Sequence, residues 1–174
     1  IVKNPTSLEK AIKSDFEIDR KVLIEEFIDG KEFTCGVLDS AFEDNGGASN
    51  FGMLRVGSTT ALPVTEIVPR KGHKFFDYNT KYKSGHSDEI TPARIDEDTT
   101  KNIQEIAIKT HQLLGCRAYS RTDMIINKSS DSVRGEDLIY VLETNTLPGL
   151  TANSLLPRAA LVAGLTMGQL LNRI

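Results

Sequence analysis

Tryptophan is absent from the 174 residues, and aromatic side chains make up only 6% of them. So few rings give no stacking platform for unpaired bases. Cysteine is nearly missing as well, with only Cys35 and Cys116 in the chain. Two cysteines exclude a disulfide framework and a thiolate zinc site, and a reduced, cytoplasmic setting is the expectation. No apolar run approaches the roughly 20 residues that a membrane helix needs. No basic run exists either. Against 24 Asp and Glu stand 21 Lys and Arg, a formal net charge of −3, so there is no electrostatic case for duplex nucleic acid. The Walker A loop, Gly-x-Gly-x-x-Gly and Gly-x-Ser-x-Gly are all missing. His73, His86 and His111 lie too far apart for metal-ligand spacing. The chain opens at Ile1 without an initiator Met or a signal-peptide pattern. It reads either as a trimmed terminus or as a piece of something longer.

What is present is ordinary for a globular domain: 39% hydrophobic and 26% charged residues. Asn4-Pro5-Thr6-Ser7 carries helix-start chemistry, and Thr6 or Ser7 is expected to cap a helix through Ile18. Val22–Phe27 and Glu32–Leu38, separated by Asp29-Gly30, read as a hairpin. Asp39–Asn50, with Asn45-Gly46-Gly47, reads as a long exposed loop. Met53–Val56 and Leu62–Val68 are further strands, and Gly72–Ile90 is an ordered loop. Thr99–Leu114 is the clearest helix, its stripe drawn by Ile103, Ile106, Ala107, Thr110, Leu113 and Leu114, with Gly115 ending it. Ala118–Asn127 and Asp137–Asn145 are strands, and Pro157–Ile174 is one final helix. The class is α+β, because hairpin-like pairs outnumber βαβ units.

The strand pair near the end carries the chemistry. Arg121 and Asp123 are two apart, and so are Glu143 and Asn145, so each pair shares a strand face. If the strands run antiparallel, the four side chains gather on one face. Asp, Glu and Asn offer hard oxygen ligands of the kind Mg²⁺ takes, and an adjacent Arg suits a phosphoryl or carboxylate group. The plain alternative is a solvated strand face with an ordinary Arg–Asp pair. Beyond Pro148-Gly149, Ser154 stands at the start of the last helix, where amide donors favour a carboxylate. It can equally be a simple cap. Lys81 and Tyr82 could reach a phosphate and a reacting group. Glu25, Glu26 and Glu32 flank a tight turn that could hold a nucleotide or simply be a charged hairpin tip.

Four stretches, in this order, resemble the C-terminal part of the D-alanine–D-alanine ligases of the ATP-grasp superfamily. They are Leu23–Phe33, Phe76–Tyr82, Ser120–Asp123 and Leu142–Pro157, the last being the most specific. The resemblance implies an ATP-grasp C-terminal domain with part of the central subdomain, a mixed or antiparallel sheet flanked by helices. Residues 1–38 would be the central-subdomain remnant, a helix plus a hairpin for adenine and ribose. Residues 39–60 would be a longer-than-usual loop, and 61–174 the catalytic domain. ATP would phosphorylate one D-alanine, and the amine of a second would attack the acyl phosphate. Asp123, Glu143 and Asn145 would hold two Mg²⁺ ions, with Mn²⁺ as a substitute. Arg121 would neutralise the intermediate, Gly149 would lie against it, and Tyr82 would close the site. Lys81 would meet the phosphates, Glu25, Glu26 and Ile28 the adenine, and Glu32 the ribose. Ser154 and Leu155 would hold the second D-alanine's carboxylate. The first substrate's domain would precede Ile1, leaving this fragment inactive alone, and the parent would be a cytoplasmic homodimer. Other carboxylate–amine ligases, using D-lactate or D-serine, and a non-catalytic nucleotide-binding module are the alternatives.

Overall fold

The computed structural model describes residues 1–39, 52–56, 58–69, 87–127 and 138–174. The expected loop at 40–50 lies outside the described residues, as do Asp137 of the expected second strand, Lys81 and Tyr82.

Helix α1 spans Pro5–Asp15, and its cap is Asn4 rather than Thr6 or Ser7. The Asn4 side chain accepts from the Ser7 amide at 2.9 Å, while Ser7 Oγ accepts from the Asn4 amide at 3.3 Å. Pro5 fits N1 because its fixed φ suits the first turn and its missing N–H would have had no partner there.

Seven strands form one sheet: β1 (Lys31–Leu38), β2 (Leu54–Val56), β3 (Thr59–Ala61), β4 (Thr65–Pro69), β5 (Ser87–Ile90), β6 (Tyr119–Asn127) and β7 (Leu138–Asn145). Every pairing is antiparallel. Strand β1 is central. One of its edges is taken along its whole length by β6, and the other by β3 and β4 in succession. Strand β2 adds to β3, β5 to β4, and β7 to β6. The expected strand Leu62–Val68 starts later, at Thr65, with Leu62–Val64 forming the bend between β3 and β4. The Gln104 amide holds that bend, donating to the carbonyls of Gly52 at 2.6 Å and Leu62 at 3.0 Å.

The hairpin expected of Val22–Phe27 with β1 does not form, and those residues are in no strand. The reason is occupancy: both edges of β1 are already filled, so no ladder is left for a third neighbour. Leu23 and Ile24 are left exposed.

Alternation along β1 divides the core. Phe33, Cys35 and Val37 face helix α2 (Glu97–Leu113) and join Ile103, Ala107, Ile108 and Met124. Asp96 caps α2 through the Thr99 amide, and Gly115, at φ +64°, closes it in the left-handed conformation glycine tolerates. The buried stripe runs through Ile103, Gln104, Ala107, Ile108 and His111, while Leu113 and Leu114 are exposed. Polar residues displaced leucines here because the sheet supplies partners: His111 Nδ1 lies 2.7 Å from Ser120 Oγ.

Among the described residues, helices cover only half of the opposite sheet face. Leu38 and Leu62 pack against α3 (Leu155–Val162) and α4 (Met167–Leu171) through Leu156, Ala160 and Leu170. Gly36 permits this, since a Cβ there would sit 3.1 Å from Leu62 and 3.2 Å from Leu156. The final helix read from the sequence is two helices. Gly164, at φ +86°, ends the first, and Thr166 with Gln169 forms a capping box that starts the second. Among the described residues no helix covers the remainder of this face, around Glu32 and the buried Thr34.

Candidate active site

That remaining half of the face holds a cavity of about 350 Å³. Its floor comes from three strands. Glu32 and Thr34 stand on β1, Arg121 and Asp123 on β6, and Glu143 and Asn145 on β7. The register sets Asp123 opposite Glu143 and Arg121 opposite Asn145. Its wall is the segment before α3, with Gly149, Asn153, Ser154 and Leu155. The four polar strand residues singled out by spacing, together with Gly149, Ser154 and Leu155, therefore line one cavity.

A second cavity of about 310 Å³ adjoins the first, sharing Glu32, Asp123 and Glu143 with it. Glu25, Glu26 and Ile28 line it, so the residues expected at a nucleotide lie beside the oxygen-rich floor. A β-bulge makes this possible: Asp123 pairs with Glu143 but Met124 pairs with Val141, leaving Leu142 extra on β7. A bulge re-aims side chains, and both Leu142 and Glu143 face this second cavity.

Asp123 is the electrostatic hub. Its Oδ1 accepts from Thr34 Oγ1 at 2.6 Å and Arg121 Nε at 3.0 Å, and its Oδ2 accepts from Arg121 Nη2 at 3.1 Å. Arg121 thus grips Asp123 as a fork, with Nη1 outside that grip. The two carboxylates opposite each other repel, a cost that a cation between them would reverse. Among the described residues no three His, Cys, Asp or Glu side chains cluster as a metal site. The candidate set is two carboxylates and one amide, all oxygen donors, which suits a small hard cation that shares its shell with substrate oxygens.

At the wall, Ser154 occupies the N-cap of α3 but makes no side-chain capping bond. Its hydroxyl instead lies 2.8 Å from Thr151 Oγ1. Helix geometry leaves the Leu155 and Leu156 amides without intrahelical acceptors. A Cβ on Gly149 would fall 2.8 Å from Ser154 Oγ, so the chain passes close over this hydroxyl.

Sequence reasoning missed Thr34, Glu89 and Arg158. Thr34 is two residues from Glu32 on β1, a period-two signal that was available. Glu89 lines the cavity from β5, within a stretch read as loop. It forms an ion pair with Arg158, whose Nη2 also donates to the Glu89 carbonyl at 3.1 Å. That pair ties α3 to the sheet.

The antiparallel sheet with its flanking helices matches the ATP-grasp fold of solved D-alanine–D-alanine ligases at TM-scores of 0.71 and 0.72. The chain belongs to the family described as D-ala D-ala ligase C-terminus, whose model matches residues 1–174. It is 42% identical over its full length to the D-alanine–D-alanine ligase of Syntrophobacter fumaroxidans, covering 48% of that protein. It is 46% identical over 95% of its length to that of Leptospira interrogans, covering 41% of it. The crystal structure of the Bacillus anthracis D-alanine–D-alanine ligase complexed with ATP superposes with a TM-score of 0.71 at 31% identity, covering 100% of this chain and 48% of that one. The VanG D-Ala:D-Ser ligase of Enterococcus faecalis gives 0.67 at 34% identity, over 98% and 42% of the two chains. The chain spans about half the length of the curated relatives it matches. Among the described residues no helix is long and apolar enough to cross a membrane.

Proposed function

We propose that this chain is the catalytic C-terminal portion of a D-alanine–D-alanine ligase. It would form D-alanyl-D-alanine from ATP through an acyl phosphate, for peptidoglycan precursor synthesis. The observation that carries the reading is the β6–β7 register, with Asp123 opposite Glu143 and Arg121 opposite Asn145 above a cavity walled by Gly149, Ser154 and Leu155.

The roles follow from charge and position. Asp123, Glu143 and Asn145 would hold two Mg²⁺ ions, with Mn²⁺ as a substitute for the same oxygen donors. Bound there, the cation compensates the charge of the phosphate oxygens. Arg121 neutralises the acyl phosphate with the guanidinium edge that Asp123 leaves unused. Ser154 and the first amides of α3 take the second substrate's carboxylate, and Gly149 lets the intermediate approach the backbone. Glu25, Glu26 and Ile28 receive the adenine and Glu32 the ribose, while the roles of contacting the phosphates and closing the site fall to Lys81 and Tyr82, both outside the described residues. Residues 1–38 act as the remnant of a central subdomain and 61–174 as the catalytic unit, with β1 of the first lying in the sheet of the second; residues 39–60 are not a loop throughout, since β2 and the start of β3 lie within them. The first D-alanine is bound by an N-terminal domain of a homodimeric, cytoplasmic parent.

Orientation supplies much of the rate in such reactions, so the 174 residues alone should release no D-alanine-dependent ADP in a coupled assay. Robust turnover by them would overturn the missing-domain part of the proposal. The likeness to a D-Ala:D-Ser ligase at 34% identity favours one second reading, a different second amino acid. Product analysis of the parent enzyme with D-alanine, D-serine and D-lactate separates the two.

A further inference from the structure

Asp123 accepts three hydrogen bonds, and its partners treat its two oxygens differently. Oδ1 accepts two bonds, from Thr34 Oγ1 at 2.6 Å and from Arg121 Nε at 3.0 Å. Oδ2 accepts one, from Arg121 Nη2 at 3.1 Å. Thr34 comes from β1 and is buried, and its hydroxyl has a second acceptor in reach, the Thr122 carbonyl at 3.3 Å. A hydroxyl carries one proton, and the shorter bond to a charged oxygen takes it. Strand pairing makes the contact possible, since Thr34 and Asp123 are directly opposed in the β1–β6 ladder.

We propose that Thr34 is a positioning residue for the cation site, its hydroxyl locking Asp123 Oδ1 so that Oδ2 is the oxygen turned to the cation. This rests on the reading of Asp123 as a cation ligand. In this role Thr34 acts through Asp123 rather than as a ligand of the cation. It fixes the ligand's rotamer and occupies the oxygen that would otherwise compete for the ion, as outer partners do in metal sites generally. Arg121 cannot do the same, because its fork grips both oxygens equally and its charge opposes a cation. Thr34 holds one oxygen from a neighbouring strand and adds no charge.

The test is binding of the Mn²⁺ complex of a non-hydrolysable ATP analogue by the 174-residue protein, with the bound ion followed by electron paramagnetic resonance and folding by circular dichroism. Thr34→Val keeps shape and removes the hydroxyl, and Thr34→Ser keeps the hydroxyl. The expected result is a dissociation constant raised about 10- to 100-fold in the valine variant, with serine restoring it to within a few-fold of the wild type. A purely structural role would shift unfolding without moving Mn²⁺ affinity. Equal affinity of the wild-type and valine proteins overturns the proposal, as does a serine variant no better than valine. Glu143→Gln separates the premise from the inference. If the wild type binds no Mn²⁺, or if Glu143→Gln binds it as well as the wild type, the cation reading itself falls and takes the proposal with it.

Discussion

Removing the carboxylate of Asp123 while leaving Arg121 in place probes the floor of the cavity most directly. The Arg121 side chain is 14% exposed and that of Asp123 8%, so most of the pair's interaction is shielded from water. Asp123→Ala strips acceptors from two guanidinium N–H groups and from the Thr34 hydroxyl. Thr34 can turn to the Thr122 carbonyl at 3.3 Å, so its loss is small. Among the described residues the guanidinium has no second hydrogen-bond acceptor to turn to. Breaking a buried pair from one side costs about 3–5 kcal/mol, and the open cavity puts this one at the lower end, about 3 kcal/mol. Relief of repulsion with Glu143 opposite returns about 0.5 kcal/mol, leaving a net loss of about 2.5 kcal/mol. Arg121→Met costs a similar amount, because the carboxylate then faces Glu143 without its counter-charge. The two losses sum to about 5 kcal/mol. The double variant strands no charge and loses chiefly packing, about 2 kcal/mol, so the coupling is about 3 kcal/mol. Urea denaturation of the four proteins, read by far-ultraviolet circular dichroism at a common slope, measures it. Additive losses would refute the reasoning, showing that water rather than Asp123 satisfies Arg121.

Gly30→Ala places a methyl group on the Ile126 carbonyl and 2.6 Å from Ile125 Cγ2. Backbone cannot swing aside, so a loss of about 3 kcal/mol, at the upper end for overpacking, is expected in the same denaturation assay. Burial lowers the affinity of His111 for a proton, against a smaller opposing pull from Asp39. The unfolded chain therefore takes up that proton first. Stability should be level above pH 6.5, where the unfolded histidine is neutral, and should fall as pH drops below it. His111→Gln should flatten that part of the urea-midpoint profile, and an unchanged profile would assign the acid limb to other groups. Burial pushes the Cys35 thiol up to about 12, whereas Cys116 is partly exposed. A disulfide reagent at neutral pH should titrate one thiol in the native protein and the second only on unfolding, with mass spectrometry locating the first at Cys116.

The polar residues of β6 and β7 were legible because a strand's two-residue period is local: Arg121 with Asp123, and Glu143 with Asn145, need only their own strand to share a face. Caps and stops are equally local, as Gly115 shows at the end of α2. The one helix expected after Pro157 failed on a local signal too, for Gly164 followed by Thr166 and Gln169 is a stop and a new start. What the chain alone did not yield was competition between distant segments. Val22–Phe27 has the composition of a strand, yet β1 had filled both edges with partners drawn from later in the sequence. Gln104 and His111 entered the core because carbonyls and a hydroxyl of the sheet were waiting for them. Thr34 and Asp123 are 89 positions apart, and only the ladder between β1 and β6 brings hydroxyl to carboxylate. Side-chain type and spacing thus set which residues could bind an ion or a phosphate. Strand registry, the bulge at Leu142 and the half-covered face determined that they meet in one cavity, because closing long loops is worthwhile only where the whole sheet repays the lost chain entropy.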